Sequence, residues 1–138
     1  TQHGVSAALE FAVRSLKVVD IIILGHARCG GIKALLSDTA GGRDDTEFLS
    51  RWVRIAAPAQ ERVQQNCPHC SEQELHRACE QESILVSLEN LMTFPWLRER
   101  VEQGELSLHG WFFDLEKGEL LGWDKASNTF QPMVRECP

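Results

Sequence analysis

The spacing of hydrophobic positions changes character several times along this chain. Val5, Ala8, Leu9, Ala12, Val13 and Leu16 recur at helical spacing with Glu10 and Arg14 opposite, which predicts an amphipathic helix from Val5 to Leu16. Val18–Val19–Asp20–Ile21–Ile22–Ile23–Leu24 is short, β-branched and almost continuously apolar. That run predicts a strand buried on both faces of a parallel sheet. Gly25, Gly30 and Gly31 then mark a turn, and Ile32 to Leu36 return to helical spacing. Helix, buried strand, glycine-rich turn and helix in succession is the grammar of an α/β domain.

Beyond residues 43–46, a polar loop in which Asp45 or Thr46 can serve as N-cap, Phe48, Leu49, Trp52, Val53, Ala56 and Ala59 keep helical spacing. Pro58 should kink or split that helix. Cys67–Pro68–His69–Cys70 reads as a turn, and Ser71 with Glu74 three residues on forms a capping box that should open a long helix. Its apolar positions are Leu75, Ala78, Cys79, Leu85, Leu88 and Met92. Phe94–Pro95 ends it, and a short helix runs toward Gln103–Gly104. Two strand-like runs close the chain, Leu106 to Asp114 and Glu119 to Trp123, joined by a hairpin turn at Glu116–Lys117–Gly118. Trp111, Phe112, Phe113 and Trp123 serve hairpin packing or an interface. With no internal repeat and no linker, residues 1–138 read as one α/β domain: a central, mostly parallel sheet flanked by helices, with a C-terminal β-hairpin.

Composition narrows the function classes. The 138 residues are 43% hydrophobic and 25% charged, which suits one domain with a real core. A net charge of −6 leaves no basic stripe for phosphate contacts, which argues against a nucleic-acid partner. No apolar run approaches the roughly 20 residues of a membrane span, so no membrane partner is expected. Five cysteines cannot all pair within one chain, and the expectation is a reduced, cytoplasmic protein. The chain opens at Thr1 rather than Met, which suggests a piece of something longer.

Candidate chemistry concentrates in Gly25–His26–Ala27–Arg28–Cys29–Gly30–Gly31. Ligands bind at the carboxyl ends of parallel strands in open α/β sheets. His26 and Cys29 leave such an end three residues apart, and imidazole nitrogen and thiolate sulfur are both zinc ligands. Two ligands do not complete a tetrahedral site, so a buried Cys29 beside a hydrogen-bonded His26 is an equal reading. Gly31 and Ile32 stand where a phosphate-binding loop needs Lys and Ser or Thr, which excludes that motif. A second constellation, Cys67, Cys70, His76 and Cys79, offers four potential ligands for a structural zinc site or a redox pair. Against it, the capping box puts His76 and Cys79 in a helix, with Cys79 on a core face. His109 reads as a hydrogen-bonded strand residue rather than a third ligand.

The segments Ser6 to Val13, Val18 to Leu24 and Gly25–His26–Ala27–Arg28–Cys29–Gly30–Gly31–Ile32 resemble the β-class carbonic anhydrases. Leu106–Ser107–Leu108–His109–Gly110–Trp111–Phe112–Phe113–Asp114, with Gly118 and Phe130–Gln131–Pro132, is similar to that family's closing hairpin. The resemblance implies a zinc cofactor held by Cys, His and Cys, with His26 and Cys29 as the second and third ligands. It implies reversible hydration of carbon dioxide to bicarbonate and a proton, by attack of zinc-bound hydroxide, in a homodimer or larger homo-oligomer. Gly30 and Gly31 would bring backbone N–H groups near the thiolate or substrate. The family's first cysteine and its Asp–Arg dyad belong to a C-x-D-x-R motif that these 138 residues do not contain. The catalytic dyad therefore has no counterpart here, and Cys67, Cys70, Cys79 and Cys137 lie in the wrong part of the pattern to replace the missing ligand. The chain reads as the C-terminal portion of the family domain, with an inactive homologue as the alternative. A tyrosine that serves an inhibitory bicarbonate site in some members is matched by Phe113, which weighs against such a site.

Overall fold

A computed structural model describes residues 3–38 and 51–133. The predicted N-caps Asp45 and Thr46, with Phe48, Leu49 and Cys137, lie outside the described residues. In chain order the elements are α1 (His3–Glu10), a π-helical turn (Phe11–Ser15), β1 (Asp20–His26) and α2 (Gly30–Asp38). A 3₁₀ turn (Arg54–Ala56), α3 (Ala57–Asn66), α4 (Glu72–Leu91) and α5 (Pro95–Glu102) follow, then β2 (Ser107–Asp114), β3 (Glu119–Asp124) and β4 (Thr129–Pro132). The four strands form one sheet in the order β1-β2-β3-β4. It is mixed: β1 and β2 pair in parallel, while β2–β3 and β3–β4 are antiparallel.

Local signals account for most boundaries. Ser71 caps α4 as expected, its hydroxyl accepting the Glu74 N–H while the Glu74 carboxylate accepts the Ser71 N–H at 2.9 Å. Pro58 splits the preceding helix through the 3₁₀ turn and sits in the first turn of α3, where its missing N–H costs nothing. Gly118, at φ 64°, supplies the left-handed residue of the β2–β3 hairpin. The predicted Val5–Leu16 helix is interrupted, because the π-helical turn shifts the register after Glu10. Only Val13 of its apolar face is buried, and Val5 and Leu16 are exposed. Arg100 on α5 secures this junction by donating to the carbonyls of Val13 (2.9 Å) and Val18 (3.1 Å).

β1 departs from the expectation of burial on both faces. Asp20, Ile22, Leu24 and His26 are exposed, with Leu24 61% and Ile22 44% accessible, while Ile21, Ile23 and Gly25 turn inward. β1 is an edge strand among the described residues, and the four exposed side chains lie on the face of the sheet opposite α4. The inner face packs on α4. A Cβ at Gly25 would lie 2.7 Å from Ile84 Cδ1, and one at Gly110 would lie 2.9 Å from Ile84 Cγ2. The two glycines therefore let α4 lie close against the β1–β2 pair. Phe112 and Ile84 close this part of the core, and Phe130 of β4 meets Phe112 edge-on at 6.2 Å.

α4 is also tied down by charge. Arg62 of α3 donates to Glu82 at 3.0 Å and, bidentate, to Glu89 at 2.9 and 2.7 Å. Arg77 of α4 reaches the buried Asp114 at the end of β2 at 2.8 Å, and lies 5.2 Å from the centre of the Phe112 ring.

Candidate metal centre

The C-terminal end of β1 delivers His26, and the turn behind it delivers Cys29. Pairing continues one residue past β1, since Ala27 N–H donates to Phe113 O at 2.9 Å. The chain then reverses through Arg28 at φ 56°, a conformation L-residues adopt only at some cost. Arg28 meets Glu116 in the β2–β3 turn. Cys29 follows directly and serves as the residue before α2, its carbonyl accepting Lys33 N–H at 3.0 Å. His26, Cys29, Gly30 and Gly31 thus leave the sheet at one place.

Both candidate ligands are held by hydrogen bonds that leave donor atoms open. His26 Nδ1 lies 2.9 Å from Ala27 O. A carbonyl can only accept, so Nδ1 carries the proton and the lone pair of the neutral ring sits on Nε2. Cys29 N–H donates to Glu80 Oε1 at 2.7 Å, and Glu80 is a buried carboxylate of α4, 51 residues away. His76 stands one helical turn before Glu80, with Nδ1 3.7 Å from the same oxygen. A Cβ at Gly31 would lie 3.7 Å from Cys29 Sγ and 3.4 Å from Trp52 Cζ3, so the glycine keeps that flank of the sulfur clear. A Cβ at Gly30 would meet nothing within 4 Å. An imidazole Nε2 with a fixed tautomer and a thiol on the same turn suit Zn²⁺. Among the described residues no group of three His, Cys, Asp or Glu side chains could hold a metal ion, so His26 and Cys29 make part of a coordination shell.

The second constellation does not assemble. Cys67 and Cys70 are bonded to each other as a disulfide, which corrects the expectation of a wholly reduced protein. Cys79 is fully buried in the cluster of Ile32, Leu35, Val53, Ala59 and Val86, and burial pushes its thiol up to about 11. His76 faces Glu80 instead of the cysteines. The four side chains do not come together as a zinc site: Cys67 and Cys70 face each other, Cys79 lies in the apolar core and His76 turns to Glu80. His109 behaves as a strand residue, with Nε2 2.7 Å from Asp20 Oδ1 across the β1–β2 pair.

Sequence reasoning missed Glu80 and the Arg77–Asp114 pair. Arg77 holds the Asp114 carboxyl below its ordinary 3.8 against the opposing effect of burial, helped by the Lys117 and Glu116 amides. A carboxylate at the end of an inward-facing strand position was the available signal for Asp114. Nothing local marks Glu80.

A mixed α/β sheet with imidazole and thiol at the end of its parallel pair defines a candidate metalloenzyme centre of the zinc type. Comparison with known proteins gives the family. Residues 1–120 match the family model described as carbonic anhydrase. The chain is 40% identical over 133 residues to β carbonic anhydrase 3 of Arabidopsis thaliana, covering 94% of this chain and 51% of that protein. It is similar to the structure of the β-carbonic anhydrase CcaA, with a TM-score of 0.86 and 32% identity, covering 92% of this chain and 61% of that one. It also resembles the tetrameric β-carbonic anhydrases of Sordaria macrospora, with a TM-score of 0.76 and 29% identity over 88% of this chain and 60% of that one. The chain belongs to the β-class carbonic anhydrase family. It spans about half the length of the Arabidopsis relative.

Proposed function

We propose that this protein catalyses zinc-dependent, reversible hydration of carbon dioxide to bicarbonate and a proton, with His26 Nε2 and the Cys29 thiolate as two of the zinc ligands. The observation that carries the reading is the turn after β1. There the Ala27 carbonyl holds the imidazole with Nε2 free, and Glu80 holds the Cys29 backbone, so the turn that carries both ligand residues is fixed. Bound zinc supplies the Lewis acidity that makes water a nucleophile near neutral pH, lowering its pKa toward roughly 7.

The chain's own residues do the rest. His26 contributes a neutral donor and Cys29 a negative one. Glu80 holds the Cys29 backbone and so the direction from which the sulfur leaves the turn. Gly30 and Gly31 open α2, and their N–H groups at that helix end suit an anionic product such as bicarbonate. The tetrameric relatives and the exposed Ile22–Leu24 face support a homo-oligomer. A net charge of −6 weighs against a nucleic-acid partner, and among the described residues no helix is long and apolar enough to cross a membrane. A cytoplasmic location belongs with these proposals and is tested by cell fractionation.

Stopped-flow hydration of carbon dioxide by the purified protein tests the reading. Zinc-dependent turnover that disappears in His26→Ala supports it, and turnover unchanged in that variant overturns it. The alternative is a homologue that keeps the fold without catalysis. Absence of turnover in a zinc-loaded protein would decide for it.

A further inference from the structure

The Cys67–Cys70 pair is not used by the proposed reaction and lies away from the β1 turn in sequence and element. Cys67 is the C-cap of α3, its N–H bonded to Val63 O at 2.9 Å. Cys70 directly precedes Ser71, the N-cap of α4, and its N–H reaches Cys67 O at 3.3 Å. The Cα atoms are 5.4 Å apart, within the range that disulfides span. Both ends of the four-residue turn are thus fixed by helix caps that persist without the S–S bond. Arg62 ties α3 to α4 through Glu82 and Glu89 independently of the sulfurs. Reduction therefore leaves the cysteines facing each other, ready to pair again.

A structural staple is the ordinary reading of a disulfide, but this one closes a loop of only three residue steps. So short a loop removes little freedom from the unfolded chain. Access points the other way. Both cysteines are half-buried rather than enclosed, and Cys67 lines a cavity of about 590 Å³ with Asn66, Gln81, Trp123 and Phe130. Cys79, by contrast, is sealed in the core.

We propose that Cys67 and Cys70 form a dithiol–disulfide couple that exchanges with an external dithiol, Cys67 being the sulfur attacked from the cavity and Cys70 the sulfur released. A thiolate of the external dithiol attacks Cys67 Sγ, a mixed disulfide forms, and the Cys67–Cys70 bond breaks with its electron pair on Cys70, which takes a proton from water. The second external sulfur, as thiolate, attacks its partner in the mixed disulfide and frees Cys67, which is protonated in turn. Two electrons and two protons pass to the protein, and the external dithiol leaves as a disulfide. Cys70 lies beside the N-terminus of the 20-residue α4, which favours its thiolate as leaving group. Glu72 and Glu74 stand in the same first turn, with Glu74 engaged by Ser71, and His69 adjoins on the loop. The couple requires no metal and stands or falls independently of the zinc reading.

The test is an equilibrium titration of the purified protein against mixtures of reduced and oxidised dithiothreitol, followed by acid quench, alkylation with iodoacetamide and peptide mapping. The expected result is joint, reversible alkylation of Cys67 and Cys70 in one transition, without denaturant. Trapping assigns the direction: a short pulse of reduced glutathione on the oxidised protein, quenched with acid, should leave the glutathione on Cys67 at least several-fold more often than on Cys70. Full alkylation of both cysteines at the oxidising limit, or reduction only in urea, would overturn the couple without recourse to any variant. Glutathione found mainly on Cys70 would overturn the assigned direction.

Discussion

The carboxylate of Glu80, buried on α4, accepts the backbone N–H of Cys29 at 2.7 Å across 51 residues of sequence. This bond connects the 20-residue α4 to the turn that presents the candidate zinc ligands. Removing the acceptor leaves a half-buried amide unpaired and frees the turn to rotate. Glu80→Ala should weaken zinc binding by roughly 10–100-fold, as outer-shell losses do. Glu80→Gln, which keeps an acceptor, should lose less, and chelator competition measures both.

Asp114 makes stability depend on pH. Its carboxyl is held below the ordinary value by Arg77, so the folded state binds this proton less readily than the unfolded chain. The contribution is complete above the ordinary 3.8 and is lost as the pH falls through the lowered folded-state value. Urea midpoints should therefore fall on acidification through that window, and the fall should be shallower in Asp114→Asn.

Ile84 fills the space left by two glycines, and a methyl group at Gly110 would lie 2.9 Å from it and 3.1 Å from Leu88. Gly110→Ala should cost about 1–3 kcal/mol by overpacking. Ile84→Ala removes the Cγ2 that the new methyl meets, so the double variant should be more stable than the sum of the single effects predicts. Chemical denaturation of the four proteins checks this.

Cys79 and Cys29 should differ sharply toward alkylation. Burial pushes the Cys79 thiol up to about 11, leaving a thiolate fraction of roughly one in a thousand at pH 8. Iodoacetamide should label Cys29 in the metal-free native protein and leave Cys79 untouched until the protein unfolds. Equal labelling rates would contradict the placement of Cys79 in the core.

Elements with strong local chemistry were legible in the sequence. The capping box at Ser71 and Glu74, the Phe94–Pro95 break and the Gly118 hairpin each act within a few residues, and each appears where expected. β4 was not read as a strand, because Thr129–Phe130–Gln131–Pro132 carries one apolar residue and no alternation; its pairing with β3 makes it a strand. The apolar run of β1 reads as a doubly buried strand, yet one face is open, since composition records what a strand can bury and not which neighbours the described residues provide. His26 and Cys29 were found because two ligand types share one turn. Glu80 was not, because a glutamate within a charged helix looks like a solvated side chain until the fold turns it inward.

The central claim is that the turn after β1 is a zinc site of a β-class carbonic anhydrase. Native mass spectrometry of the purified protein tests it most directly, reading zinc and subunit count in one spectrum. The account predicts one zinc per chain, lost in Cys29→Ser and retained in Cys70→Ser. Wild-type protein without zinc, or zinc that survives Cys29→Ser and leaves with Cys70→Ser, would contradict it.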